Sequence, residues 1–303
     1  MAAPLRRARR QADDGFIVVA VLWILGALAT FASIYAVYVA NTAVGLRVND
    51  DRLQAEALVS GALELTAYRL TAIKGEAPTR GAFAFRAGSA TVAVEFRSEA
   101  ARIDLNAAPK KLLAGLFTTL GAQPAEADYY ADRIVGWRTK ADPEAVDNEA
   151  AAYRTAGLPY KPRQAPFANV GELWLVLGLP QILAERALPF VTVFSGRPEI
   201  NVADAAPEVI AALPGMTPDR LYAVLNRRAA APQNAQSAPG PSDLPDSDQA
   251  GLTTQGSKST RVTVHVGLEN GRRINAEAVI LVLDDAGEPF RVLSWRDDFD
   301  GSF

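Results

Sequence analysis

Twenty-five consecutive residues without a charge, Phe16 to Ala40, constrain this chain more than any other feature. Wound as an α-helix, the run reaches about 37 Å, enough to cross a hydrocarbon core of about 30 Å. Arg6, Arg7, Arg9 and Arg10 precede it. By the positive-inside rule they hold the N-terminus in the cytoplasm, and the chain beyond Ala40 lies across the membrane. The competing reading is a removable secretory signal, since Ala27-Leu28-Ala29 offers an A-x-A cleavage site. The apolar run continues well past Ala29, however, which a removable signal does not need.

Composition narrows the function. At 49% hydrophobic residues, the 303-residue chain is too apolar for disorder and too polar for a multi-span membrane protein. Its length suits about two domains. Lys plus Arg number 31 against 34 Asp plus Glu, a formal charge of −3, which argues against a broad nucleic-acid surface. There is no Cys and one His, so disulfide scaffolds, thiolate nucleophiles and Cys zinc sites are excluded. The chain carries no H-E-x-x-H, G-x-S-x-G or P-loop. His265 falls on the polar side of a predicted strand, and Asp297-Asp298 reads as a charged tail. The residues therefore point away from an enzyme; an exported enzyme released after Ala29 is the weaker alternative.

After Ala40 the helix is expected to continue to about residue 73. Leu58, Ala62, Leu65, Tyr68 and Ala72 fall on one helical stripe, and Gly75 and Pro78 stop it. A break near Asn49-Asp50-Asp51 is the other possibility. Alternation at Val92, Val94 and Phe96 reads as a strand, with Phe83 and Phe85 in its hairpin partner. Strands return at Val262, Val264, Val266 and Leu268, then at 272–283 after the Asn270-Gly271 turn signal, and at Phe290–Trp295. Between them, helices are expected at 109–120, 125–139, 169–178, 180–188, 205–213 and 217–229. The fold class is α+β: a long N-terminal helix plus an antiparallel sheet, with a large all-α inserted domain. Separate domains in linear order are the alternative. Residues 230–259, rich in Ala, Pro, Gln, Ser, Gly and Asp, read as a flexible loop.

Two segments resemble each other. Ile103-Asp104-Leu105-Asn106-Ala107-Ala108-Pro109 and Ile200-Asn201-Val202-Ala203-Asp204-Ala205-Ala206-Pro207 both lead into apolar helices. Asn106 or Asp204 is placed to cap the helix that comes next. The pattern also resembles helix-hairpin-helix motifs, which would make the chain a membrane-anchored DNA-binding protein. Against that, Lys110 and Lys111 stand alone in the first copy and Glu208 takes their place in the second. Finally, Asp142, Glu144, Asp147, Asn148 and Glu149 crowd a short stretch. Calcium takes six to eight oxygens from such loops, but the EF-hand spacing is absent, and a solvated acidic loop fits as well.

The basic leader, Gly15-Phe16 and the long apolar helix resemble a type IV prepilin signal. That resemblance implies cleavage by prepilin peptidase after Gly15, N-methylation of Phe16, a leader of 1–15 and a retained helix over 16–40. Most prepilins carry Glu at the fifth mature position; here it is Ala20. The large minor pseudopilin of type II secretion systems, general secretion pathway protein K, typically lacks that Glu. The chain resembles this family also in its two Asn-Ala-Pro segments, and in Glu149, Tyr153, Tyr160 and Glu172-Leu173. The resemblance implies a pilin-like domain split into 41–100 and 260–303, a helical insert over 101–229 and the loop 230–259. It implies a single-pass inner-membrane protein with a periplasmic head, placed at the tip of the pseudopilus. The partners it implies are the I and J minor pseudopilins, the major pseudopilin, the inner-membrane assembly platform and prepilin peptidase, with no nucleic acid. It also implies calcium at Asp142, Glu144, Asp147 and Glu149, although Arg138-Thr139-Lys140 stand where the family often has paired Asp.

Overall fold

A computed structural model describes residues 11–72, 77–144, 146–230, 252–283 and 287–298. The first ten residues of the expected leader, the expected helix stop at Gly75 and most of the 230–259 loop lie outside these. The chain divides into two compact units, with the boundary after Ala57.

The first unit is helical. Helix α1 is assigned over Gln11–Thr71, without a break at Asn49-Asp50-Asp51. Its Phe16–Thr42 stretch has the length and composition to cross a membrane, with mean hydropathy 2.5 and none of it buried. Phe16, Trp23, Phe31 and Tyr35 all stand exposed, so the stretch is apolar all round rather than striped. In water that arrangement is costly; in lipid it is what a single span requires.

The second unit starts with the last turns of α1 and a five-stranded antiparallel sheet. Its strands are β1 (Arg80–Ala87), β2 (Ala90–Ser98), β7 (Ser259–Gly267), β8 (Arg273–Val282) and β9 (Phe290–Asp297). They lie side by side in the order β1-β2-β7-β8-β9. The period-2 expectations hold residue by residue. Val94 pairs with Phe83 on one side and Val264 on the other, and Gly271 turns β7 into β8 at φ 81°. Val92, Val94, Val262, Val264, Val266, Ile274 and Ile280 are buried on one sheet face. The opposite face carries Arg, Glu, Thr and His265.

The helical stripe is rotated from the expected one. Val59, Ala62, Leu63, Thr66, Ala67 and Leu70 are buried, whereas Tyr68 and Ala72 are exposed. Thr66 belongs in that face because its hydroxyl donates to the Ala62 carbonyl at 2.7 Å and needs no other partner. Ala62 and Ala67 let the backbone sit close to the sheet. Arg69 lies over the Phe83 ring, 4.1 Å from its centroid, and fixes the helix against β1.

Strands β2 and β7 are neighbours, yet some 160 residues separate them, and that excursion is the helical insert. It holds α2 (Lys110–Thr119), α3 (Pro124–Arg138), α4 (Asn148–Thr155), α5 (Gln181–Ala187), α6 (Pro207–Ala211) and α7 (Pro218–Ala230). The expected helix at 169–178 is only a 3-10 segment, Val170–Leu175. Two short parallel pairs add to the expected elements: β3 (Ile103–Asp104) with β4 (Val191–Thr192), and β5 (Ile200–Asn201) with β6 (Leu252–Thr253).

Candidate functional site

The insert is built twice from one plan. In the first copy the Asp104 carboxylate accepts from the Asn106 amide, while the Asp104 carbonyl accepts from Ala107 and Ala108. In the second, Asn201 Oδ1 accepts from the Ala203 amide, and the Asn201 carbonyl from Asp204 and Ala205. Asp104 is therefore the equivalent of Asn201, and Pro109 that of Ala206. This register is one residue off the one suggested by matching the two Ala-Ala-Pro strings. Each turn feeds a helix that starts at the same point, after Pro109 or Ala206.

The correspondence extends further. The parallel partner supplies a Thr that ties its own loop: Thr192 Oγ1 accepts from Phe194, and Thr253 Oγ1 from Gln255. A glycine turn (Gly121 at φ 102°, Gly215 at φ 75°) leads into a second helix that starts with Pro. An Arg near the end of that helix reaches back to the turn. Arg138 donates to the carbonyls of Leu105 and Ala108, and Arg228 to that of Ala205, the equivalent of Ala108. The copies meet at equivalent residues: a Cβ on Gly115 would lie 2.0 Å from the Ala212 carbonyl oxygen.

Two expected caps are corrected by this geometry. Asn106 does not cap α2; it bonds both backbone groups of Phe167, at 2.7 and 3.1 Å. Asp204 does not cap α6 but pairs with Arg80 at 3.3 Å. The turn residues ahead of them, Asp104 and Asn201, take the local amides instead.

The residues that carried the family resemblance gather round Trp137. Its indole N–H donates to Glu172 Oε2 at 3.0 Å, while Glu172 Oε1 accepts from Arg163 and from the Ala168 amide, both at 3.1 Å. With Glu172 pinned and Gly171 and Gly178 flanking it, the chain turns in a tight 3-10 segment rather than the longer helix expected at 169–178. Phe167 stacks on Trp137 and Tyr153 packs tilted against it, each at 6.0 Å, and Tyr160 lies 6.0 Å from Tyr153. The buried Tyr153 hydroxyl accepts from the Leu177 amide at 2.8 Å, and burial pushes its pKa up to about 12. These residues hold the insert together.

Of the four expected calcium ligands, Asp142, Asp147 and Glu149 hold contacts within the protein. Asp142 accepts from the Glu144 amide. Asp147 caps α4, a helix missed in the sequence, by accepting from the Ala150 amide, and also accepts from Gln164. Those bonds hold its pKa below the usual carboxylate value. Glu149 Oε2 pairs with Arg133 at 2.8 Å, and only its buried Oε1 lacks a partner. Burial raises the pKa of Glu149 against the pull of Arg133. Among the described residues no three His, Asp or Glu side chains come together as an ion site. Asp142 and Asp147 are tied to local amides and Glu149 to Arg133, so these carboxylates do not converge as a shell of six to eight oxygens.

Lys110, the residue closest to a phosphate-binding role, is neutralised by Asp128 and Asp132 at 2.8 Å each. His265 sits exposed on the open sheet face, bonded to Asn275 at 2.7 Å. Gly15 falls within α1, and Phe16, the first residue of the apolar stretch, is exposed.

Comparison with known proteins bears on the insert first. Residues 94–196 match the family model described as type II secretion system (T2SS), protein K. The fold is similar to a chain in the crystal structure of the GspK-GspI-GspJ complex from the type 2 secretion system of enterotoxigenic Escherichia coli. The TM-score is 0.60 at 18% identity, over 83% of this chain and 98% of that one. At this identity the likeness is one of fold. No curated protein matches the chain, and nothing in these comparisons supports DNA binding. The matched stretch runs from β2 through the first copy and the Trp137 cluster to β4, and it is this part of the chain that is similar to the protein K family of type II secretion systems.

Proposed function

We propose that the chain is a minor pseudopilin at the tip of a type II secretion pseudopilus, supporting export of folded proteins across the outer membrane. The observation that carries this is the family match over 94–196, because it falls on the bulky insert that sets the chain apart from a slender fibre subunit. The role is mechanical. The apolar helix packs among other pseudopilin helices in the inner membrane, and the head stands in the periplasm. The insert, threaded between β2 and β7, blocks addition of a further subunit. Ala20 supports a terminal position, since without a carboxylate there the chain has no group to pair with the N-terminal ammonium of a neighbour. Partners of the I and J type suit this reading, as do the major pseudopilin and the assembly platform. The prepilin peptidase cuts between Gly15 and Phe16 and methylates Phe16.

Mass spectrometry of the membrane-extracted chain tests the processing step. An N-methylated Phe16 is expected, and a chain starting at Thr30 sinks the proposal. Co-expression with I and J subunits from the same secretion system is expected to yield a ternary complex. A chain that purifies alone under those conditions overturns the tip role.

A further inference from the structure

The open face of the sheet carries a row of like charges. In register, Arg80 of β1 lies opposite Arg97 of β2, and Arg97 opposite Arg261 of β7. Like charges directly across strands destabilise a sheet unless an anion offsets them. Two of the three are answered: Arg80 by Asp204, and Arg261 by Glu99 and Glu277. Arg97 is not, and neither is Arg102, which comes after the sheet strand on the same side. Among the described residues neither guanidinium has a hydrogen bond or ion pair. Both line a cavity of about 750 Å³ between sheet and insert, with Pro189 and Ala206 from the insert on its apolar side.

Glu99 lies close by but is fully engaged, since its oxygens take Arg261 and the Thr192 hydroxyl. Arg102 is half-buried, and burial and neighbouring Arg261 hold its pKa below the usual guanidinium value. A half-buried guanidinium that lines a cavity without a protein acceptor is suited to an anion in planar, two-point geometry.

We propose that this cavity is a carboxylate-binding pocket, in which Arg102, with Arg97 at the rim, grips an Asp or Glu side chain presented by a peptide segment. Three features select that ligand. Arg97 and Arg102 are the two lining cations without an ion pair, and two guanidiniums suit the two oxygens of one carboxylate. The cavity is far larger than an inorganic ion. Its apolar side offers a surface for the carbon chain next to the carboxylate. The inference is independent of the export role and goes beyond it.

The test is a titration of the full-length chain in detergent micelles at pH 7 and fixed ionic strength. The probes are N-acetyl-leucyl-aspartyl amide, its asparaginyl counterpart and inorganic phosphate. The aspartyl peptide is expected to bind about tenfold more tightly than the asparaginyl one, and Arg102→Gln to lose about tenfold, the scale of one charge-assisted bond. Arg97→Gln, at the exposed rim, is expected to lose about threefold and cannot unfold the core. Arg291→Gln, paired with Glu288 away from the cavity, is expected to change nothing. Equal binding of the two peptides overturns the proposal. So does unchanged binding in Arg102→Gln with native circular dichroism or, should that variant misfold, unchanged binding in Arg97→Gln. Phosphate binding more tightly than the aspartyl peptide overturns the assignment to a peptide carboxylate.

Discussion

The two copies inside the insert share a plan but differ at the residue on which each turn is built. Asp104 offers two acceptors: Oδ1 takes the Asn106 amide, and Oδ2 takes the Gly196 amide at 2.6 Å. Asn201 offers one acceptor and one donor: Oδ1 takes the Ala203 amide, and Nδ2 gives to the Thr254 carbonyl at 3.2 Å and to Asp204 at 3.3 Å. The local half of the job is identical. The distant half is set by the polarity of the group that the crossing segment presents, an N–H in the first copy and a C=O in the second. Asp and Asn, nearly isosteric, are therefore not interchangeable here, and a buried turn can be read as a statement about its remote partner.

The sharpest way to break this comparison is to exchange the two residues. Asn201→Asp is expected to do the most damage. It sets a fully buried carboxylate against the Thr254 carbonyl and within reach of Asp204, itself buried. The expected loss is about 3–5 kcal/mol in thermal or urea unfolding of the full chain in micelles. A variant as stable as the parent would show that water or a shifted proton answers that site equally well. Gly115→Ala comes next, because the two copies touch there. With the new methyl 2.0 Å from a backbone oxygen, α2 and α6 must separate, at about 1–3 kcal/mol. Ala212→Gly, at the equivalent position, adds no bulk and is expected to cost about 1–2 kcal/mol through backbone entropy and the loss of a buried methyl.

Much of this is legible in the sequence, and the failures have physical causes. Strand alternation and the Asn270-Gly271 turn survive because side-chain period and turn chemistry are local. The apolar run from Phe16 is legible for the same reason. The stripe on α1 misleads because Tyr68 and Thr66 invert the usual rule: the aromatic ring is outside and the hydroxyl inside, bonded to its own helix. Helix α4 hides in the acidic stretch, where Asp147 caps it through a bond from the Ala150 amide. A compositional match at Ala-Ala-Pro shifts the register of the repeat, whereas the hydrogen bonds track Asp104 and Asn201. Strands β4 and β6 cannot be found, since two-residue parallel pairs have no periodicity of their own. Nor can the pocket at Arg102, which depends on four strands and the insert meeting.

The reverse exchange, Asp104→Asn, is milder: an amide nitrogen would face the Gly196 N–H, and about 1–3 kcal/mol is expected to be lost. Its pH dependence tells whether the carboxylate is the reason. Burial raises the pKa of Asp104 from its ordinary 3.8 in spite of its amide bonds. The folded state therefore keeps the proton to higher pH than the unfolded chain does. The parent's advantage over the variant is then largest below pH 3.8 and shrinks as pH rises through the folded value, because Asn does not titrate. A gap that widens with pH would mean that the amide bonds outweigh desolvation.

The smallest difference concerns the arginines that close the two turns. Arg138 holds two carbonyls, those of Leu105 and Ala108, where Arg228 holds one, that of Ala205. Truncation exposes buried acceptors in both cases, so Arg138→Gln is expected to cost about 2 kcal/mol and Arg228→Gln about 1 kcal/mol. Hydrogen exchange separates a local effect from a global one. In Arg138→Gln the amides of Ala107 and Ala108 are expected to lose protection while those of Ala205 keep theirs, and in Arg228→Gln the pattern reverses. Equal loss in both turns from either substitution would mean that the copies, joined at Gly115 and Ala212, open as one unit.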